Sequence, residues 1–119
     1  MILVDTSVWI DHLRSGDNRL VTLLQASDVL AHPFVAGEIA LGNLKQRHTV
    51  LAALANLPQA RVANDSEVLH FIDRNNLAGS GIGYIDAHLL ASARLDTGTK
   101  IFTRDKRLRT VAVRLGLAM

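Results

Sequence analysis

The sequence contains no cysteine. That absence excludes disulfide frameworks, cysteine-ligated zinc, iron–sulfur clusters and thiol catalysis together. Long apolar runs are missing too. The longest stretch without Asp, Glu, Lys or Arg is His48 to Ala60, 13 residues that include Pro58. A bilayer span needs roughly 18–20. No basic segment opens the chain, and Asp5 stands where a signal peptide would be apolar, so the expected compartment is the cytoplasm. The five histidines show no H-E-x-x-H and no other zinc spacing, and nothing pairs two of them for metal-free acid–base work. Gly79-x-Gly81-x-Gly83 lacks the G-K-S/T ending of a phosphate loop and reads as a lead-in to a helix.

What is there is enough for one core. Of 119 residues, 49% are hydrophobic and 20% charged, which argues against disorder and for a single domain over residues 1–119. No repeat, linker or low-complexity tract divides it. The net charge of +2 hides a pattern. Residues 1–40 and 65–99 each carry five acids against two bases, whereas residues 100–119 carry six bases against Asp105 alone. A basic C-terminal stripe suits a phosphate-backbone binder, although a solvated helix face has the same composition.

Ile2-Leu3-Val4 is a short apolar run that reads as a buried parallel strand. Thr6-Ser7 is expected to cap the helix that follows. Further helices are expected over Arg19–Gln25, from Pro33 to about Leu44, Arg47–Leu57, from Asn64 through Arg74, Tyr84 to about Leu95, and Asp105 to about Leu115. Asn64 with Glu67 three residues on resembles a capping box. Val29–Ala31, Arg61–Ala63, Ile101–Thr103 and Leu117–Met119 read as further strands. Strands joined through helices predict a parallel sheet covered on both faces, with ligands at the carboxyl ends of the strands.

Four acids stand where an acid is locally awkward. Asp5 ends the first strand, and Glu38 lies in a mostly apolar helix. Asp86 precedes Ala87, Leu89 and Leu90, and Asp105 follows the strand at Ile101. Their separations of 33, 48 and 19 residues leave it to the fold to gather them. Like charges about 4 Å apart repel by roughly 4 kcal/mol at an effective dielectric of about 20. Protonation or a hard divalent cation, Mg²⁺ or Mn²⁺, would relieve that repulsion. Thr6, Ser7 and Thr103 offer hydroxyls to orient the carboxylates. Each acid also has an ordinary reading: Asp5 or Asp105 as a helix cap, Glu38 or Asp86 as solvent-facing positions. The remaining aspartates, Asp11, Asp17, Asp28, Asp65, Asp73 and Asp96, read as surface.

These residues carry a resemblance. Val4-Asp5-Thr6-Ser7-Val8-Trp9-Ile10 looks like the opening of a PIN-domain ribonuclease. Gly83-Tyr84-Ile85-Asp86-Ala87-His88-Leu89-Leu90-Ala91-Ser92-Ala93 resembles the helix bearing the family's third acid. Phe102-Thr103-Arg104-Asp105-Lys106-Arg107-Leu108 resembles its closing motif, and Glu38 sits where the second acid is expected. The pattern is most similar to the VapC toxins of bacterial VapBC toxin–antitoxin pairs.

The resemblance implies a three-layer α/β/α fold with a mainly parallel sheet of about five strands. It implies that Asp5, Glu38, Asp86 and Asp105 hold one or two Mg²⁺ or Mn²⁺ ions, with Thr6, Ser7 and Thr103 in support. It implies cleavage of single-stranded regions of RNA, tRNA or rRNA among them, by metal-activated water, which stops translation and growth. The partners it implies are the RNA, an antitoxin whose C-terminal tail blocks the acidic pocket, and a second copy of the chain. Apolar residues of the Pro33–Leu57 helices beyond one core's needs fit the homodimer.

An acidic pocket repels phosphate, so substrate must be attracted beside it. Arg104, Lys106, Arg107 and Arg109 are candidates on one side, Lys45 and Arg47 on the other. Most of the five aromatics sit in apolar patterns and read as core, so no base-stacking platform is expected. Two rival readings remain. A catalytically silent PIN-like RNA-binding domain would normally lack one of the acids. A receiver-like phosphoacceptor module would carry an adjacent acidic pair where Asp5 has Val4 and Thr6.

Overall fold

A computed structural model describes residues 1–119. The apolar run Ile2–Val4 forms strand β1 at the centre of a parallel sheet. Val29–Leu30 (β2) pairs on one side of it and Lys100–Phe102 (β3) on the other. The register sets Leu3 beside Leu30 and Ile101, and Val4 beside Phe102. Leu3 and Val4 are fully buried, as a run with no polar alternation requires of a strand covered on both faces.

The sheet has three strands, not about five. The two outer segments are reduced to single parallel bridges, Ala31 with Gln59 and Ile101 with Ala118. Arg61–Ala63 is not a strand. Val62 is exposed there, and the buried residues, Ala60 and Ala63, are three apart and so do not follow the two-residue alternation of a strand face. Ala31 N donates to Pro58 O at 2.8 Å and Ala31 O accepts from Ala60 N at 2.7 Å, and Pro58 has no N–H with which to extend the ladder.

Seven helices surround the sheet: Thr6–Ser15 (α1), Asn18–Gln25 (α2), Pro33–Ala40 (α3), Arg47–Asn56 (α4), Asp65–Arg74 (α5), Tyr84–Leu95 (α6) and Lys106–Arg114 (α7). α3 stops at Ala40, short of the expected Leu44. The box at α5 forms as its sequence predicts: Asn64 Oδ1 accepts from Glu67 N at 2.8 Å, and Glu67 Oε1 accepts from Asn64 N at 2.9 Å. Thr6 and Ser7 do not cap α1. Its N-cap position is Asp5, and their hydroxyls bond elsewhere.

α6 is buried without interruption from Ala87 to Ala93, so it runs through the core rather than along it. A histidine ties it to α3. His32, with no exposed surface, accepts at Nδ1 from Phe34 N (3.0 Å) and so caps α3. The ring proton is therefore on Nε2, which meets Ser92 Oγ at 3.1 Å. Burial, with His88 nearby, lowers the His32 pKa to about 4, so the ring is neutral at ordinary pH. This bond fixes α3, the bearer of Glu38, against α6, the bearer of Asp86.

Candidate active site

Three of the four acids begin at places the backbone dictates. Asp5 follows β1 directly, Asp105 follows β3 by three residues, and Asp86 sits in the first turn of α6 after Gly83. They lie outside the carboxyl ends of parallel strands, where such sheets bind ligands. Glu38 reaches the same place from α3, because Thr6 Oγ1 donates to Glu38 Oε1 at 2.7 Å.

Asp5 is buried, yet its carboxylate does not cap α1. Its Oδ2 accepts from Ser7 Oγ (2.8 Å) and Thr103 Oγ1 (2.7 Å). Asp86 Oδ2 accepts from Gly83 N at 3.1 Å. Asp105 does cap α7, through Oδ1 to Leu108 N at 3.0 Å, and its own N–H donates to Thr103 Oγ1. Each carboxylate thus spends one oxygen on protein donors. The other oxygens, Asp5 Oδ1, Glu38 Oε2, Asp86 Oδ1 and Asp105 Oδ2, take no protein hydrogen bond.

The acids feel one another. Burial raises the Asp86 pKa above the ordinary 3.8, the bond from Gly83 opposes it, and the charges of Asp5, Asp105 and Glu38 raise it further. In this conformation no three of the carboxylate and histidine groups close to the spacing of a formed metal centre. The donor set is nonetheless right for a hard divalent cation such as Mg²⁺ or Mn²⁺: oxygens only, each oriented through its other oxygen.

Comparison with known proteins identifies the family. The PIN domain model matches residues 2–114. Ribonuclease VapC32 of Mycobacterium tuberculosis, from strains CDC 1551 / Oshkosh and ATCC 25618 / H37Rv, is 50% identical over all 119 residues, which cover 96% of its own length. The chain belongs to the PIN-domain family.

The basic residues around this PIN-domain site are not equivalent. Arg104 N donates to Ser7 Oγ at 3.1 Å, but its guanidinium turns away, pairing with Asp17 and lying 3.6 Å from Asp11. Asp17, expected at the surface, is buried: it caps α2 through Leu20 N and anchors Arg104. That bond from Leu20, with Arg104 beside it, lowers its pKa against the opposing effect of burial. Arg107 lies over the loop before α6, close enough that a Cβ on Gly81 would stand 3.1 Å from its Cδ. Lys106 is exposed, and Arg109 Nη1 donates to Met119 O at 3.4 Å.

On the other flank a groove of about 460 Å³ opens beside Glu38, lined by Ile10, Arg14, Leu44 and Lys45 among others. Arg47 does not line it. Sequence reasoning missed Arg14 here and Arg19 beside Phe102, because both stand in the acid-rich first third and only tertiary contacts assign them. Of the aromatics, Trp9, Phe71 and Phe102 are buried as expected. Tyr84 is not: it is 49% exposed and donates to Asp65. His88 is packed between Phe34 and Tyr84, with Nε2 3.6 Å from Asp65 Oδ1.

Proposed function

We propose that this chain is a divalent-cation-dependent endoribonuclease that cuts single-stranded regions of RNA and acts as the toxin of a toxin–antitoxin pair. The observation that carries the reading is the set of four carboxylates, each held through one oxygen and open at the other, at the carboxyl end of a parallel sheet. Half-identity over the full length to a protein named a ribonuclease VapC supports the reaction class.

Asp5, Glu38, Asp86 and Asp105 would hold Mg²⁺ or Mn²⁺, one ion or two, through their open oxygens. A bound cation of this kind lowers the pKa of water and offsets charge on a phosphoryl group. Thr103 and Ser7 keep Asp5 in its rotamer, and Thr6 does the same for Glu38. Burial and the neighbouring acids make the charged form of Asp86 costly, so a cation beside it would relieve that cost. In the overall reaction water adds at phosphorus and the bond to the 3′ oxygen breaks, leaving a 3′-hydroxyl and a 5′-phosphate.

Partners follow from the same reading. An antitoxin tail that covers the acids would silence the enzyme, and tRNA or rRNA as targets would halt translation and growth. Leu41, 90% exposed just past α3, supports a homodimer through that region. The chain works as one unit in the cytoplasm on this account. No helix is long and apolar enough to cross a membrane.

Mapping of product ends tests the chemistry. Purified chain is incubated with a single-stranded RNA pool and Mg²⁺, and the new ends are sequenced by phosphate-selective ligation. The reading requires 5′-phosphates. Cyclic 2′,3′-phosphates would mean attack by the RNA's own 2′-hydroxyl and would end it.

A further inference from the structure

The end of β3 presents two adjacent side chains that serve different neighbours. Thr103 turns its hydroxyl to Asp5. Phe102 lies against the guanidiniums of Arg19 and Arg104, 5.1 and 5.3 Å from its ring centre. Both residues line a pocket of about 350 Å³ with Arg19, Arg104, Arg109 and Met119. Thr103 is the shared wall between this pocket and the acid cluster.

The pocket is an anion site by composition. Three guanidiniums line it and no carboxylate side chain does. Arg104 is held by Asp17 and Asp11 and Arg109 donates to Met119 O at 3.4 Å, whereas Arg19 makes no ion pair. The charge of Arg19 therefore has no acidic side chain paired with it. The planar fork of arginine matches the oxygens of a phosphodiester, and stacking on a ring reduces the freedom lost when it binds. Phe102 is itself only 5% exposed, so the ring supports the arginines and offers no face to a base. The chemistry selected is the backbone phosphate, not the nucleobase.

We infer that Arg19, Arg104 and Arg109 form a phosphate-holding pocket that grips the RNA strand on the Thr103 side of the acid cluster. The inference rests on the ribonuclease reading above and adds to it a fixed path for the strand. One phosphodiester sits among the arginines while another lies at the carboxylates. Arg19, in the acid-rich N-terminal part of the chain, becomes a substrate-positioning residue.

The test uses the full chain carrying Asp86→Asn, so that RNA binds without being cut. Affinity for a labelled single-stranded RNA is measured over a salt series, with Arg19→Ala/Arg109→Ala added, and separately with Arg61→Ala as a charge-loss control outside the pocket. The pocket predicts that the double variant lowers affinity several-fold more than the control. It also predicts that the slope of log affinity against log salt flattens by about 0.7 for each phosphate the arginines no longer neutralise. Arg19→Lys, which keeps charge but not the fork, should fall between. Unfolding by urea checks that the variants fold. A double variant that matches Arg61→Ala overturns the pocket and leaves the ribonuclease reading standing. Failure of the Asp86→Asn protein to bind RNA at all overturns both.

Discussion

The Thr103 hydroxyl donates to Asp5 Oδ2 at 2.7 Å, joining residues 98 positions apart. Its oxygen, Thr103 Oγ1, accepts from Asp105 N at 3.0 Å and lies 3.4 Å from Ser7 Oγ. One buried hydroxyl thus sets the first and last of the four acids relative to each other. Thr103→Val keeps the shape and removes both bonds. It should cost about 1–3 kcal/mol of stability in urea unfolding and weaken cation binding, because Asp105 N is left without its acceptor. Thr103→Ser should restore most of both.

Asp86 stores electrostatic strain. Its carboxyl titrates above the unfolded value of 3.8 because of burial and three neighbouring acids. The associated stability is complete below that unfolded value and is lost as pH rises through the folded pKa, so at neutral pH the charged group works against the fold. Asp86→Asn should therefore raise the melting midpoint in EDTA by a few degrees, equivalent to about 1 kcal/mol. Mn²⁺ should stabilise the parent protein and leave the variant unmoved. A variant less stable than the parent in EDTA would contradict this.

Asp105 has two jobs that substitution separates. Its Oδ1 caps α7, and its Oδ2 is open. Asp105→Ala should lose about 1 kcal/mol through the missing cap. Asp105→Ser should retain most of that stability while losing cleavage as fully as Asp105→Ala. Equal activity of the serine variant and the parent would remove Asp105 from the site.

His32 gives the fold an acid limit independent of the carboxylates. Its folded pKa is about 4 against 6.5 for the free ring. Above the unfolded value the ring is neutral in both states, and as pH falls toward the folded value the unfolded chain takes up the proton first. Stability should decline by up to about 3 kcal/mol across that window. Urea midpoints at about pH 7 and about pH 4.5 measure it, and His32→Asn should flatten the dependence.

The parts of this protein legible in its sequence are those set by local rules. β1 ends at Asp5 because an apolar run meets a charge, and the box at α5 needs only Asn64 and Glu67. Asp86 stands out as an acid at the head of the helix that proves most buried. What is not legible depends on distant neighbours. Asp17 looks like a surface residue until Arg104 is folded against it. Thr6 and Ser7 look like caps until Glu38 and Asp5 are near enough to accept their hydrogen bonds. The expected strand at Arg61–Ala63 fails because Val62 faces solvent, and the pairing there is one bridge at Gln59. Arg19 carries no local signal at all; only the Phe102 ring gives it a place.

On the proposed reading, the open oxygens of these carboxylates hold a cation required for RNA cleavage. The most direct test is cutting of a single-stranded RNA pool by the purified chain with Mg²⁺ or Mn²⁺ and with EDTA, beside Asp5→Asn and Glu38→Gln. Cutting is expected only from the parent protein and only with the cation. Cutting that survives EDTA, or that survives Asp5→Asn, would contradict it.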